Sequence, residues 1–210
     1  PGIHLLKKGV RGANIYVIEE RKGISIIDCG FEGSDEEIIN FIESLGSSTE
    51  DVRYIIITHA HPDHVGSLPE LIDLTDADTF IHEQDLSLLK RFTMLSKEDI
   101  PNLKILKGGE ILEILGNLEV IHTPGHTDGS IALYKEGEFL ITGDTIIVDK
   151  NGNLSLPKKE YTKDFEKLKE SAKKLLQLNF ESLLPGHGNP ITLNAKRKAL
   201  EFQAKIDKLY

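Results

Sequence analysis

The chain has 210 residues, of which 39% are hydrophobic and 28% are charged. This length and composition are typical of a globular domain with one core, and no linker-like stretch divides the chain, so we expect a single domain over residues 1–210. The net charge of −9 repels phosphate backbones, which disfavours a dedicated nucleic-acid-binding protein. No apolar run approaches the roughly 18 residues that span a bilayer, so we expect no membrane partner.

The start of the sequence and its cysteine content indicate a cellular location. The residues after Pro1 lack the basic and apolar regions of a secretory signal, and Cys29 is the one cysteine, so no internal disulfide is available. We therefore expect a cytoplasmic protein. Cys29 is interpreted as a small buried residue.

Strands and helices alternate in the first half of the chain. Runs of β-branched residues predict strands at 13–20, 23–28, 53–58 and 79–81. Apolar spacing predicts helices from Ser34 to Gly46, at 68–74 and at 83–91. The strand 53–58 is apolar enough to be central and buried on both faces. Ser34 and Glu37 match a capping box at the start of the first helix.

The second half of the chain also combines predicted strands and helices. Strands are predicted at 110–115, 118–122, 130–134, 139–142 and 182–184, and helices at 164–178 and 194–209. Each half of the chain thus has a group of predicted strands with helices between them. This pattern predicts an α/β protein in which two mixed sheets pack face to face and helices flank them, which is a four-layer arrangement.

A dense run of metal-ligating side chains follows the strand 53–58. His59, His61, Asp63 and His64 lie within six residues of one another. Where a buried strand ends, ordinary hydrogen bonds would hardly satisfy three imidazoles and a carboxylate at once. One or two metal ions would use all of them as ligands. The run predicts a metalloenzyme.

Three further polar clusters follow later strands. His126 lies in the run Thr-Pro-Gly-His-Thr-Asp-Gly, Asp144 follows Thr-Gly, and His187 lies in Pro-Gly-His-Gly. Each cluster alone is an ordinary turn or loop. The neighbouring glycines permit sharp turns, and loops at a rigid sheet edge are where ligand-binding residues converge. We therefore expect these three residues to lie near the first run. Together the candidates are five imidazoles and two carboxylates. That set is sufficient for two ions that share one ligand.

In these residues the chain resembles the metallo-β-lactamase superfamily, over roughly residues 13–190. The resemblance implies an αββα sandwich with a dinuclear metal site at one edge. It assigns His59, His61 and His126 to the first ion, Asp63, His64 and His187 to the second, and Asp144 to both. It also matches Asp28 to an acid that steadies a ligand histidine, although a capping aspartate in a turn is the alternative interpretation.

The ligand set predicts a hydrolytic mechanism. A water shared by two divalent ions would have its pKa lowered from near 15.7 to roughly 7, so a metal-bridging hydroxide would attack without a protein nucleophile. We expect zinc, with iron or manganese as alternatives. Asp63 is the predicted catalytic residue, because it would orient the hydroxide and pass a proton to the leaving group.

Differences from branches of the superfamily narrow the substrate. The best-known β-lactamases have a cysteine where Asp144 stands, and flavodiiron relatives have a glutamate where His61 stands. Nuclease branches need additional domains for which 210 residues leave no room. Glyoxalase II adds a helical glutathione-binding domain, and the segment after Pro190 is too short to form it, which disfavours a glutathione thioester. We expect hydrolysis of a small ester, thioester or lactone.

Alternatives from other classes stay open. The motif also resembles persulfide dioxygenases, which use one iron, and phosphodiesterases of the same superfamily. A non-catalytic metal-binding domain would bind ions without turnover. The expected partner is a small-molecule substrate, and a homo-oligomer is compatible with the sequence.

Two segments outside the ligand runs have candidate roles. Residues 92–102, which begin Phe92-Thr93-Met94-Leu95, are apolar but weakly periodic, which is compatible with a lid, an oligomer contact or core packing. Tyr161 is either a hydrogen-bond donor to a developing oxyanion or a surface tyrosine.

Overall fold

The computed structural model describes residues 2–7 and 12–209. The chain forms two compact units, residues 1–106 and residues 107–210. The prediction of a single domain stays a prediction.

The first unit is built on a six-stranded sheet. Its strands, in spatial as well as chain order, are β1 (Gly2–Lys7), β2 (Asn14–Glu20), β3 (Gly23–Ile27), β4 (Val52–Ile56), β5 (Asp78–His82) and β6 (Leu103–Leu106). The first three strands pair antiparallel, and β3 to β6 pair parallel. β4 is therefore central, and Ile55 and Ile56, which point to opposite faces, are both 0% exposed, as predicted.

Four helices accompany this sheet. They are α1 (Asp35–Ser44), α2 (Pro62–Val65), α3 (Leu68–Leu74) and α4 (Leu86–Thr93). One face of the sheet, which includes Ile26 and Ile55, shares a core with Ile38 of α1, Leu71 of α3 and Leu89 of α4. The parallel strands and this core bring the carboxyl ends of β3, β4 and β5 to one edge of the sheet, where ligand-binding loops are expected.

The predicted capping box at the start of α1 is wrong. Ser34 has helical backbone angles and its side chain accepts no capping hydrogen bond. Ser67, from the turn before α3, supplies the acceptor instead: its Oγ lies 2.7 Å from Ser34 N and 3.1 Å from Asp35 N. The amides at the helix start are satisfied by a residue distant in sequence, which the local pattern does not reveal.

The second unit contains a five-stranded sheet and a short hairpin. The strands are β7 (Ile111–Leu112), β8 (Leu118–His122), β9 (Ile131–Lys135), β10 (Phe139–Gly143), β11 (Ile147–Val148), β12 (Leu154–Ser155) and β13 (Ser182–Pro185). The sheet has the order β13-β10-β9-β8-β7, and β11 pairs with β12. β13 is parallel to β10, and the other pairs are antiparallel.

Two helices, α5 (Phe165–Gln177) and α6 (Ala195–Gln203), share a core with this sheet. The core includes Leu168 and Leu175 of α5, Phe202 of α6 and Leu140 of β10. Asp164 caps α5 as its position suggests, because its carboxylate accepts from Lys167 N at 3.1 Å.

Some predicted boundaries differ from the structure. The strand expected at 110–115 is reduced to Ile111–Leu112, and Leu115 at its predicted end has a φ of 46°, which is incompatible with a strand. The helix expected to reach residue 209 ends at Gln203, and a separate 3₁₀ turn follows at Ile206–Lys208. β1, β6, β11 and β12 were not predicted.

None of the helices in the described parts of the chain is both long and apolar enough to cross a bilayer.

Candidate metal centre

The first group of predicted ligands lies on the loop that follows β4, residues 58–64, which we call the ligand loop. His59 and His64 are buried, and His61 and Asp63 are partly exposed. His59 Nε2 lies 3.1 Å from His61 Nδ1. Two nitrogens bound to one tetrahedral metal, each at about 2.0–2.1 Å, lie about 3.3 Å apart, so this pair has the spacing of two ligands of one ion.

His64 and Asp63 form the other part of the ligand loop. A carboxylate oxygen of Asp63 and a ring nitrogen of His64 lie within 4.8 Å of each other. The His64 ring is close to that of His59, with 3.9 Å between centroids. The short helix α2, which begins with Pro62, turns Asp63 and His64 back towards the strand end. The four predicted ligands of the first unit are therefore together.

Asp28 supports the ligand loop from the end of β3. Its Oδ1 accepts from Thr58 N at 2.8 Å, and its Oδ2 lies 2.7 Å from both Thr58 Oγ1 and His64 Nδ1. With a proton on Nδ1, directed at this carboxylate, His64 would present Nε2 to a metal ion. Asp28 holds this position with a φ of 62°, a left-handed conformation unusual for a buried aspartate. This geometry suits the histidine-steadying role more than that of a simple turn cap.

The second group of predicted ligands meets in the second unit. Asp144 directly follows β10, and His187 follows β13. The parallel register pairs Gly143 with Pro185, so the ends of these two strands lie side by side. Asp144 Oδ2 lies 3.3 Å from His187 Nε2 and 3.5 Å from His126 Nε2. One carboxylate oxygen thus faces two imidazole nitrogens, each at the separation expected between ligands of one metal.

Gly186 makes this approach possible. A Cβ on Gly186 would overlap Asp144 Oδ1 and Gly143. The backbone of Gly186 instead donates to Gly143 O at 2.8 Å. Any side chain at this position would displace the carboxylate of Asp144, so the glycine is needed for space beside a predicted ligand.

The loop that carries His126 is fixed on the start of α5. Gly125 has a φ of +139°, and a Cβ there would overlap the backbone of Leu168. His126 O accepts from Lys163 N at 3.1 Å, and Gly125 O accepts from Asp164 N at 2.9 Å. The position of His126 therefore depends on where α5 begins.

The remaining candidates lie outside these groups. Cys29 is fully buried, and burial, with the nearby charge of Asp28, raises the pKa of its thiol, so it fits the predicted role of a small core residue. His122 is held by the carbonyl of Asp128, with Nε2 at 2.8 Å. Tyr161 is 64% exposed and lies under the Lys158 ammonium, with 6.0 Å between Nζ and the ring centroid.

The segment 92–102 begins beside the ligand loop. The Phe92 ring lies 6.4 Å from that of His61, centroid to centroid, and Phe92 is 39% exposed. Met94, which ends α4 in a left-handed conformation, is 81% exposed. Core packing therefore does not describe these two side chains, and a lid or an oligomer contact stays a prediction.

Asp85, which contacts the ligand loop, is a residue that the sequence pattern does not identify as a candidate. Asp85 is 1% exposed, and its Oδ2 accepts from Ala60 N at 2.8 Å. In the sequence it is an acidic residue at the start of a predicted helix, where acids are common. Nothing local identifies its partner, 25 residues away.

The donors in both units suit metal ions by their chemistry. Imidazole nitrogens and carboxylate oxygens are ligands for zinc, iron and manganese. Their mutual distances within each unit fit shared coordination, as described above. The residues present thus fit the predicted cofactor.

Comparisons with known proteins give the family. A model of the metallo-β-lactamase superfamily matches residues 9–187. A probable metallo-hydrolase of Methanocaldococcus jannaschii is 33% identical over 188 residues, which cover 84% of this chain and 87% of the relative. The hydroxyacylglutathione hydrolase GloC of Haemophilus influenzae is 29% identical over 196 residues, which cover 88% and 89% of the two chains.

Solved structures agree with this relationship. The crystal structure of TTHA1623 in a di-iron-bound form has a TM-score of 0.71 and 28% identity, and the match covers 93% of this chain and 98% of that chain. The metallo-β-lactamase family protein TTHA1429 from Thermus thermophilus has a TM-score of 0.74 and 25% identity, with 99% and 80% covered. The predicted fold class is confirmed. The chain belongs to the metallo-β-lactamase superfamily, whose members include metal-binding hydrolases.

Proposed function

We propose that this protein is a dinuclear metal-dependent hydrolase for a small ester, thioester or lactone. The observation that carries the proposal is the position of Asp144, whose Oδ2 faces both His126 Nε2 and His187 Nε2, at 3.5 and 3.3 Å. A single carboxylate oxygen between two histidines suits a ligand shared by two ions. Membership of a superfamily of metallo-hydrolases supports the same function.

The ligand assignment that we propose draws on both units. His59, His61 and His126 would hold one ion, Asp63, His64 and His187 the other, and Asp144 both. The spacing of His59 and His61 in the first unit, and of Asp144 and its two histidines in the second, supports this assignment. Zinc is the proposed ion because it suits tetrahedral histidine and aspartate sites. The di-iron form of TTHA1623 makes iron the second candidate.

The chemistry would be divided between the ions and the protein. Bound divalent ions would supply an activated water near neutral pH and a positive charge for the substrate oxygen. Asp63 is partly exposed and adjacent to His64, so we propose that its carboxylate takes a proton from the attacking water and delivers it to the leaving group. Asp28 would keep His64 in its metal-binding tautomer through the 2.7 Å contact with Nδ1.

The comparisons revise one argument about the substrate. GloC is named a hydroxyacylglutathione hydrolase, and this chain matches 89% of its length. A relative of similar length thus carries that name, so chain length does not count against a glutathione thioester. We therefore propose a hydroxyacylglutathione thioester as one member of the substrate class. Phe92 offers an apolar surface beside His61 for the uncharged part of such substrates.

The proposal is tested by metal analysis and substrate screening. Protein purified without added metal should contain about two ions per chain and hydrolyse at least one of a panel of thioesters, esters and lactones. Asp144→Asn and His61→Ala should lose bound metal and at least about 1000-fold in kcat/KM, because a ligand of the reaction centre is removed. Asp73→Asn and His122→Ala are the matched controls, since neither residue belongs to the proposed ligand set.

Other results would contradict the proposal in distinguishable ways. Two bound ions without turnover of any substrate in the panel would favour a non-catalytic metal-binding domain. One iron per chain with oxygen uptake would favour the persulfide dioxygenase-like alternative, and turnover of phosphodiesters alone would favour the phosphodiesterase. The small-molecule partner, the expected absence of nucleic-acid and membrane partners, the cytoplasmic location and the homo-oligomer stay predictions.

A further inference from the structure

Asp85 is a buried carboxylate that contacts the backbone of the ligand loop. It is 1% exposed, and its Oδ2 lies 2.8 Å from the amide nitrogen of Ala60. Ala60 is 0% exposed and stands between the predicted ligands His59 and His61. A buried amide needs an acceptor, and here a side chain from the start of α4 supplies it.

The ligand loop is therefore held by two carboxylates at neighbouring positions. Asp28 accepts from the amide of Thr58, and Asp85 accepts from the amide of Ala60, so the amides on either side of His59 are both fixed. The 3.1 Å distance between His59 Nε2 and His61 Nδ1 depends on the backbone torsions at Ala60. A hydrogen bond to that residue constrains those torsions.

A second contact joins the same two elements. α4 begins directly after Asp85 and ends at Thr93, and Phe92 near its end packs edge-on to the His61 ring at 6.4 Å. The N-cap residue of α4 thus contacts the backbone of Ala60, and a residue near the end of the helix contacts the side chain of His61. Both contacts restrict His61, the partly exposed member of the histidine pair.

We propose that Asp85 is a positioning residue of the metal centre: its hydrogen bond to Ala60 N holds His59 and His61 at the spacing of two ligands of one ion. The inference rests on the metal-dependent function proposed above. Partners outside the ligand shell commonly change metal affinity by 10–100-fold when they are removed. Asp85 acts through the backbone and does not itself contact the ion or the substrate.

The test compares zinc affinity in three variants, measured by competition with a chelator and without any substrate. Asp85→Ala should weaken zinc binding about 10–100-fold. Asp85→Asn keeps an acceptor oxygen, so its affinity should stay within about fivefold of that of the unaltered protein. Asp73→Ala, an exposed aspartate on α3, is the control and should leave affinity unchanged.

Two further measurements separate positioning from a purely structural role. The visible absorption of Co²⁺-loaded protein reports coordination geometry, and it should change in Asp85→Ala but not in Asp73→Ala. Far-ultraviolet circular dichroism of the metal-free Asp85→Ala protein should show that it is folded. These readouts do not depend on catalytic activity.

Three outcomes would overturn the inference. Unchanged zinc affinity in Asp85→Ala would show that the hydrogen bond does not set the ligand spacing. An unfolded metal-free Asp85→Ala protein would assign the residue to the fold instead. A loss in Asp85→Asn as large as that in Asp85→Ala would assign the effect to the charge. Zinc binding without turnover in the unaltered protein would contradict the proposed hydrolase and leave this inference standing.

Discussion

At the scale of single residues, the candidate metal centre depends on residues that contact the predicted ligands but are not themselves predicted to bind metal. Asp28 orients His64 and anchors Thr58, and Gly186 leaves the space that Asp144 occupies. The sequence alone leaves alternatives open for such residues, because a glycine or an aspartate at a strand end has many ordinary roles. Their effect is nonetheless specific, since each contacts one predicted ligand.

Gly186→Ala tests this dependence in the second unit. The new Cβ would overlap Asp144 Oδ1, so the carboxylate must leave its position between the two histidines. We expect zinc affinity to fall by about 10–100-fold, measured by chelator competition, and activity to fall with it. Gly152→Ala is the control, because a Cβ there meets nothing and only the strain of a positive φ is added. Full affinity in Gly186→Ala would show that Asp144 is not held as described.

At the scale of elements, α5 links the core of the second unit to the loop of His126. Its first turn packs on Gly125, and its last turn is capped from outside the helix. The ammonium of Lys196 donates to Leu176 O at 2.8 Å and to Leu178 O at 2.6 Å. A cation at a helix C-terminus satisfies carbonyls that have no partner within the helix.

Lys196→Met removes this cap. We expect the free energy of unfolding at neutral pH to fall by about 0.5–1.5 kcal/mol, because two carbonyls lose a donor. Denaturant titration measures this change. Lys150→Met, at an exposed turn position away from α5, is the control and should have little effect. An equal effect of both substitutions would contradict the capping role.

The effect of Lys196→Met on stability should also depend on pH. Burial lowers the pKa of Lys196, so the folded protein binds fewer protons at this site than the unfolded chain does. The free energy of unfolding therefore gains a contribution that rises with pH from the lowered pKa up to the ordinary lysine value of about 10.4. The stability difference between the unaltered protein and Lys196→Met should widen as the pH rises towards the ordinary lysine pKa of about 10.4. A constant difference would contradict this linkage.

At the scale of the whole molecule, metal binding should contribute to stability. We propose that ligands come from both units, so ions would favour the folded state of each. Free zinc at 100 times its dissociation constant would add about 2.7 kcal/mol, which for a chain of this size raises Tm by roughly 5–10 °C. Differential scanning calorimetry of chelator-treated protein with and without zinc measures the shift.

Hydrogen exchange locates this stabilisation. Protection should rise in α1 of the first unit and in α5 of the second when zinc is added, and neither should change in Asp144→Asn. Protection confined to one unit would contradict a ligand set drawn from both. The same measurement bears on the predicted single domain, because a common response is expected of units that fold together.

The strongly patterned elements could be predicted from the sequence, and the weakly patterned ones could not. β4 contains three β-branched residues and a tyrosine among its five residues, and its central position agrees with the burial of Ile55 and Ile56 on its two faces. β6, by contrast, is a four-residue strand with two exposed side chains, Lys104 and Ile105. Only its parallel pairing with β5 makes it a strand, and pairing with a distant neighbour leaves no local pattern.

By itself the sequence determined which side chains are candidate metal ligands in each unit, because imidazoles and carboxylates recur at successive strand ends and the run at residues 59–64 has few other uses. Only the tertiary structure decided which distant residues make the hydrogen bonds that fix the ligand loop and the start of α1. Asp85 lies 25 residues from Ala60, Asp28 lies 36 residues from His64, and Ser67 lies 33 residues from the helix start that it caps. Which hydrogen-bond donor meets which acceptor over such separations depends on strand order and packing, and local residue preferences carry no information about either.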